Sequence, residues 1–359
     1  MSAPARPALL ALVAAVGLWA PLANAGPANA DAAVDEELET CLSCHGDESA
    51  SLDLKSGEKI SLYVDRKTLE ASVHGTRVRC TQCHPGMDEL PHPERPLGSL
   101  REYQASFRES CRRCHFENYT KALDGVHEKQ HAAGNLDAPF CADCHGSHDV
   151  APPGKPRVKI SQTCAPCHST VYDAYEKSVH GKALVAEDNP DVPVCTDCHR
   201  SHDIADPKSS AFRLRTPEGC GTCHADPNVM GKYGLSTNVL STYLSDFHGM
   251  SASLYRSQKG EPEKVVAVCV DCHGVHDITK VRDAGSQVLK ANLVKTCQKC
   301  HPEATESFPA AWLSHYEPGF KKAPLVYGVQ VFYKVFIPFI IGGLVLQILL
   351  HLWRVVVNR

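Results

Sequence analysis

The unit Cys-x-x-Cys-His occurs nine times in the 359 residues. Its thiol pairs are Cys41/Cys44, Cys80/Cys83, Cys111/Cys114, Cys141/Cys144, Cys164/Cys167, Cys195/Cys198, Cys220/Cys223, Cys269/Cys272 and Cys297/Cys300, which use all 18 cysteines. The histidines that close the units are His45, His84, His115, His145, His168, His199, His224, His273 and His301. Two thiols at this spacing both reach one porphyrin edge to form thioethers, and the next histidine reaches the iron axially, so the unit is an attachment site for c-type haem. Paired Cys-x-x-Cys units also build zinc ribbons, where four thiolates close a tetrahedron, and an exported chain can oxidise cysteines to disulfides. Neither chemistry needs a histidine after every second cysteine. The expected cofactor is therefore haem c, nine copies, covalently attached.

Each such iron has a second axial position. Of 20 histidines, eleven lie outside the motifs. Position within an internal repeat selects nine of them as distal ligands: His74, His92, His127, His148, His180, His202, His248, His276 and His315. His131 and His351 are left over, and His131, one helical turn after His127, is a possible substitute for it. Met87, Met230 and Met250 share no such register. Two histidines per iron close both axial positions and give a low-spin, low-potential centre suited to electron transfer. The sequence does not say which distal histidine serves which motif.

The elements that must position these groups follow from the repeat, which begins near residues 80, 141, 195 and 269. Three copies are plain. Cys141-Ala-Asp-Cys-His145-Gly-Ser-His148-Asp149 is followed by Cys164 and His180; Cys195-Thr-Asp-Cys-His199-Arg-Ser-His202-Asp203 by Cys220 and His248; and Cys269-Val-Asp-Cys-His273-Gly-Val-His276-Asp277 by Cys297 and His315. A looser copy has Cys80 with His92, then Cys111 with His127. After the second motif of each repeat the apolar spacing predicts a short helix. Val171, Tyr172, Tyr175 and Val179 share one face, with Gly181 as its stop and the aromatic rings lying on haem faces. Tyr119, Leu123 and His127, and Phe308, Trp312 and His315, share that register. Asp31–Thr40 predicts one or two helical turns before Cys41, and Ile60–Val64 a short strand.

The expected architecture is mainly α and irregular: short helices and loops packed around a chain of covalent haems, plus one C-terminal transmembrane helix. Residues 26–323 divided among nine motifs leave about 33 residues per haem, too few for a conventional core. Haem faces must then supply much of the buried apolar surface, and the haem-free chain is expected to be largely unfolded. The formal charge of −4 omits the haem propionates, so an acidic surface argues against a nucleic-acid partner.

Residues 1–25, with Arg6, an apolar run from Ala8 to Ala20 and Ala23-Asn24-Ala25, have the layout of a secretory signal peptide. In residues 324–359, the uncharged run Val335–Trp353 followed by Arg354 and Arg359 reads as a membrane anchor with a short cytoplasmic tail. Those two segments place the protein in the cytoplasmic (inner) membrane as a single-pass protein with residues 26–323 in the periplasm. Gln347 and His351 lie four apart on one face of that helix, and near its cytoplasmic end they read first as interfacial residues; the other reading, since polar residues in a span usually face protein, is contact with a partner membrane subunit.

The Cys-x-x-Cys-His-Gly-x-His-Asp units and the stretch Tyr172-x-x-Tyr175-x-x-Ser178-x-His180-Gly181 resemble multihaem cytochromes c with paired motifs, found in respiratory electron-transfer chains. The segment from Trp312 to Phe320, with the helix after it, resembles the junction in membrane-anchored multihaem cytochromes that work with quinol-oxidising modules. That resemblance implies electron carriage from haem to haem, with no bond of a substrate made or broken. It also implies a membrane quinone-oxidoreductase or b-type cytochrome subunit as one partner and a soluble or outer-membrane redox acceptor as the other. The anchored quinol dehydrogenases differ in carrying an N-terminal anchor and fewer haems. An alternative function is a multihaem reductase or oxidase of a small nitrogen or sulfur compound, which needs an open iron, to be sought at the Cys41 or Cys80 motif. A purely structural subunit would leave nine redox centres without a use.

Overall fold

The computed structural model describes residues 28–93, 98–258, 265–311 and 315–358; the signal-peptide segment and Trp312 lie outside the described residues. The described residues fall into two compact units, those within 1–103 and 147–151, and those within 104–146 and 152–359. Apart from one two-stranded hairpin in the first unit, the described regular structure is helical, and most helices are short.

In the first unit, helix α1 (Ala28–His45) runs unbroken through the acidic lead-in and the first motif. The expected one or two turns are thus an 18-residue helix. Val34 and Leu38, one turn apart, bury its inner face. Strands β1 (Ser51–Asp53) and β2 (Lys59–Ser61) pair antiparallel, with Leu52 opposite Ile60. The strand expected over Ile60–Val64 stops early for a clear reason. Residues 62–64 turn away to hold the first motif: the Leu62 carbonyl meets His45 Nδ1 at 2.8 Å, and the Val64 amide donates to the His45 carbonyl at 2.7 Å. Helix α2 (Arg66–Ala71) then starts on Asp65, whose carboxylate accepts from the Thr68 amide.

The second unit repeats a pair of short helices joined at a sharp break. The pairs are α3 (Phe116–Leu123) with α4 (Val126–Ala132), and α5 (Ser169–Lys177) with α6 (Val179–Glu187). After the longer α7 (Ser210–His224), which ends in a motif, come α8 (Val239–Ser245) and α9 (Phe247–Ser257). Gly181 does not stop α5, as the sequence suggests. Ser178, extended at φ −71° and ψ 169°, ends α5 and caps α6 through its hydroxyl, and Gly181 lies inside α6.

Two small cores hold the second and third of these pairs. One joins Tyr175, Leu184 and Val194; the other joins Leu214, Tyr243, Ala252 and Val268. Tyr175 and Tyr243 occupy equivalent places. The Tyr175 hydroxyl donates to the Pro193 carbonyl at 2.7 Å and the Tyr243 hydroxyl to the Ala267 carbonyl at 3.0 Å. Burial pushes the Tyr175 phenol up to about 12. These tyrosines are therefore core residues that clamp the chain just before the next motif, in keeping with the packing role expected of Tyr175. Tyr119 differs again, with the guanidinium groups of Arg108 and Arg112 5.6 and 5.8 Å from its ring centre.

Helix α10 (Pro324–Val357) is 34 residues long, apolar and exposed along its length. At a rise of 1.5 Å per residue it extends about 51 Å, more than the ~30 Å hydrocarbon layer of a bilayer. It contains the expected span Val335–Trp353 and is compatible with a single-pass membrane anchor.

Candidate functional site

Four of the motifs begin with one turn of helix, held at its start by the chain itself. In Cys141–His145, Cys195–His199 and Cys269–His273 the third residue is an aspartate that reaches back to the amide before the first cysteine. Asp143 accepts from Phe140 at 2.6 Å, Asp197 from Val194 at 2.8 Å and Asp271 from Val268 at 2.7 Å. Gln82 does the same for Arg79. These side chains fill the role of a helix N-cap partner and fix where both cysteines and the histidine point. The spacing of the aspartates ahead of each Cys-His is visible in the sequence, but it does not single them out as site residues.

Arginines pin the same turns. Arg213 grips both carboxylate oxygens of Asp271 at 2.6 Å and the Val266 carbonyl at 2.9 Å. Arg157 reaches Asp197 at 2.8 Å and the Val192 carbonyl at 3.1 Å. Each guanidinium lies ahead of the second motif of one repeat and holds the first motif of the next.

The two cysteines of a motif differ in their surroundings. The first of each is half-buried, as are Cys223 and Cys272, whereas Cys44, Cys83, Cys114, Cys144, Cys167, Cys198 and Cys300 are exposed. Within the first, second, third and ninth motifs the second cysteine, Cys44, Cys83, Cys114 or Cys300, is thus the more exposed of the two. The physical reason is the short helical turn. Residues three apart lie on one side of it but about 60° round the axis from each other, so both thiols face one way and the second sits nearer the rim.

The motif histidines face eight of the nine predicted distal histidines. In the first unit His45 faces His92 with ring centres 6.2 Å apart, and His84 faces His148 at 6.0 Å. In the second, the pairs are His168 with His127 at 6.3 Å, His145 with His202 at 6.0 Å, His224 with His180 at 6.2 Å and His199 with His276 at 5.9 Å. His301 with His248 at 6.3 Å and His273 with His315 at 6.2 Å complete the set. His74 belongs to the first unit and His115 to the second.

A separation near 6 Å is too wide for ring stacking and has a simple meaning. Two metal–nitrogen bonds of about 2 Å, plus the short distance from each nitrogen to its ring centre, add to roughly 6 Å. Among the described residues, a histidine outside these pairs behaves differently: His131 stacks on Phe140 at 4.1 Å, with Nε2 3.1 Å from the Pro139 carbonyl. The possible exchange of His131 for His127 is not what the structure holds, since His127 is the one that faces His168.

Tautomers support the same geometry. A carbonyl oxygen only accepts, so His45 Nδ1 donates to Leu62, and His92 Nδ1 donates to the Glu89 carbonyl at 2.9 Å. Both rings then keep Nε2 free for a metal. Burial, with the facing imidazole adding to it, holds the His127, His145, His199 and His273 rings below the usual histidine range, and pushes His180 down to about 4. Neutral imidazole is the form that ligates.

The sulfurs give the order of the motifs. The first cysteines meet in hydrogen-bonding contact as Cys41–Cys80, Cys111–Cys141, Cys164–Cys195 and Cys220–Cys269. At the intervening junctions of the second unit, Cys144 lies close enough to Cys167, Cys198 to Cys220, and Cys272 to Cys297 for their charges to interact. Motifs from Cys111 to Cys297 are therefore neighbours in chain order. Backbone bonds link the segments that carry the predicted distal histidines. Val73 donates to Val150 at 2.9 Å, Val126 to Ile204 at 2.8 Å and Val179 to Ile278 at 2.7 Å. In each, the residue before one distal histidine binds the residue two beyond another, using an amide that a helix start would otherwise leave unpaired.

The family model described as the doubled CXXCH motif matches residues 183–228, which hold the Cys195 and Cys220 motifs. No curated protein and no solved structure matches the chain. The match and the repeated motif support a multihaem c-type cytochrome working in electron transfer. The facing imidazoles fit such a group, with the Cys-x-x-Cys thiols as its covalent anchors.

Proposed function

We propose that this protein is a nine-haem cytochrome c of the cytoplasmic membrane. It carries electrons between a membrane quinone-linked or b-type cytochrome partner and periplasmic or extracellular acceptors, soluble or on the outer membrane. The observation that carries the reading is the set of facing histidine pairs, eight of them at 5.9–6.3 Å. Bound there, c-type haem supplies a one-electron iron couple. The chain's residues do the rest: cysteine pairs fix each macrocycle, histidines fill both axial positions, and Asp143, Asp197 and Asp271 hold the motif turns in place. At those eight sites protein would fill both axial positions and leave a small molecule no iron to bind, which favours carriage over catalysis. The exposed apolar helix Pro324–Val357 supports membrane attachment, and Gln347 and His351 on one face of it support contact with a membrane partner.

A reductive titration of the full chain in detergent tests the reading. It predicts nine one-electron equivalents per chain, and no reoxidation by nitrite or sulfite beyond the rate of a protein-free control. Rapid turnover of either compound would point to the reductase reading instead.

A further inference from the structure

We propose that Gly75, Gly181 and Gly249, each directly after a distal histidine, are positioning residues: the missing side chain lets two helical segments cross closely enough to set that histidine on its iron. The inference rests on the bis-histidine reading above.

The geometry is the same in three places. A single residue forms the break between the first helix and the next segment: Ser72 after α2, Ser178 between α5 and α6, and Asp246 between α8 and α9. With only one residue at the break, the second segment doubles back against the last carbonyls of the first. A Cβ on Gly75 would lie within 3.0 Å of the Leu69 carbonyl, one on Gly181 within that distance of the Tyr175 carbonyl, and one on Gly249 within it of the Tyr243 carbonyl. Real Cβ atoms do not approach backbone so closely, and a carbonyl inside a helix cannot move aside as a side chain can.

The fourth copy is an internal control. Between α3 and α4 the break has two residues, Asp124 and Gly125, and Glu128 stands where the others have glycine. The longer break leaves room for a side chain. Its own glycine, Gly125, sits where a Cβ would come within 3.0 Å of the His202 carbonyl. The glycine after the histidine thus tracks the one-residue break and not helix formation as such.

What the crossing fixes is the histidine. His180 and His248 are the second residues of α6 and α9, and they face His224 and His301 at 6.2 and 6.3 Å. Tyr175 and Tyr243, whose carbonyls the glycines clear, are the same residues that anchor α5 and α8 in the small cores. A side chain at the glycine must therefore push the start of the second helix, and its histidine, off a fixed support.

The test is Gly181→Ala in the full-length, haem-loaded protein, beside His180→Ala and Gly231→Ala, where an added Cβ meets nothing within 4 Å. The expected result is unchanged covalent haem content in all three. Gly181→Ala and His180→Ala each gain a high-spin signal equal to one haem, removed by added imidazole, while Gly231→Ala keeps the parent spectrum. A high-spin signal in His180→Ala with none in Gly181→Ala overturns the positioning role. No signal in His180→Ala overturns the ligation reading beneath it. If Gly181→Ala does not accumulate, Gly249→Ala against His248→Ala decides the same question. Loss of both glycine variants while the histidine variants accumulate shows that the glycines serve folding alone, and overturns the proposal.

Discussion

His180 leaves the second motif of one repeat and faces His224, in the second motif of the next, with ring centres 6.2 Å apart. The same step relates His127 to His168 and His248 to His301. The other class of distal histidine runs backwards: His148, His202 and His276 each face the first motif of the preceding repeat, at His84, His145 and His199. The repeats that begin near residues 80, 141 and 195 thus place histidines against motifs on both sides of them, whereas in the last repeat His315 faces His273 of its own first motif.

His180→Met tests this exchange. The haem on Cys220 and Cys223 should stay covalently bound, because neither thioether is touched. Its iron should acquire a His/Met pair, which raises the potential. A redox titration should show one equivalent moving upward and the rest unchanged. A shift of the haem at Cys164 instead would contradict the pairing with His224.

His74→Ala should convert one low-spin haem to high-spin without loss of haem. His74 lies in Ser72-Val73-His74-Gly75, the same register as Ser178-Val179-His180-Gly181. An unchanged spectrum would remove His74 from the ligand set.

Much of the site is legible in the sequence because covalent attachment dictates it: thioether chemistry needs two cysteines and a histidine at fixed spacing. The repeat also singles out His180 and His248. Which iron each faces is not legible, since that depends on how one repeat lies against the next. The helix break at Ser178 escapes the sequence for a physical reason. Gly181 looks like a stop, yet close approach to the Tyr175 carbonyl is what requires a glycine there. The spacing of Tyr175 marks it as a packing residue but not against what; its hydroxyl, which must find a partner when buried, finds it at Pro193.

Asp271→Asn should destabilise the second unit by about 2–3 kcal/mol, since it weakens a charged bidentate contact with Arg213 and the cap of the Val268 amide. Asp197→Asn should cost less, about 1 kcal/mol, because Arg157 makes a single, more exposed contact with Asp197. Denaturant unfolding of the loaded proteins measures both, and equal losses would contradict the assignment.

The pH response follows from the sign of the histidine shifts. The folded-state pKa of His180 lies at about 4, below its ordinary 6.5. The unfolded chain therefore binds more protons between those values, and stability is lost as pH falls from 6.5 towards 4. An iron bond to the neutral ring would deepen the effect. The low-spin spectrum should hold from pH 7 to about 4, and a high-spin form growing in at pH 6 would contradict a buried, ligated His180.

Removing residues 324–359 should release the protein from the membrane fraction with its visible spectrum unchanged, because α10 is exposed along its length. Retention of the shortened chain in washed membranes would place the attachment elsewhere.

The most direct test of the central claim is an electron paramagnetic resonance spectrum of the oxidised full-length protein, with haem content determined on the same sample. The account predicts nine haems per chain, all low-spin, as two histidines on every iron require. A high-spin signal amounting to a whole haem would contradict it, and would mark an iron open to a small-molecule substrate.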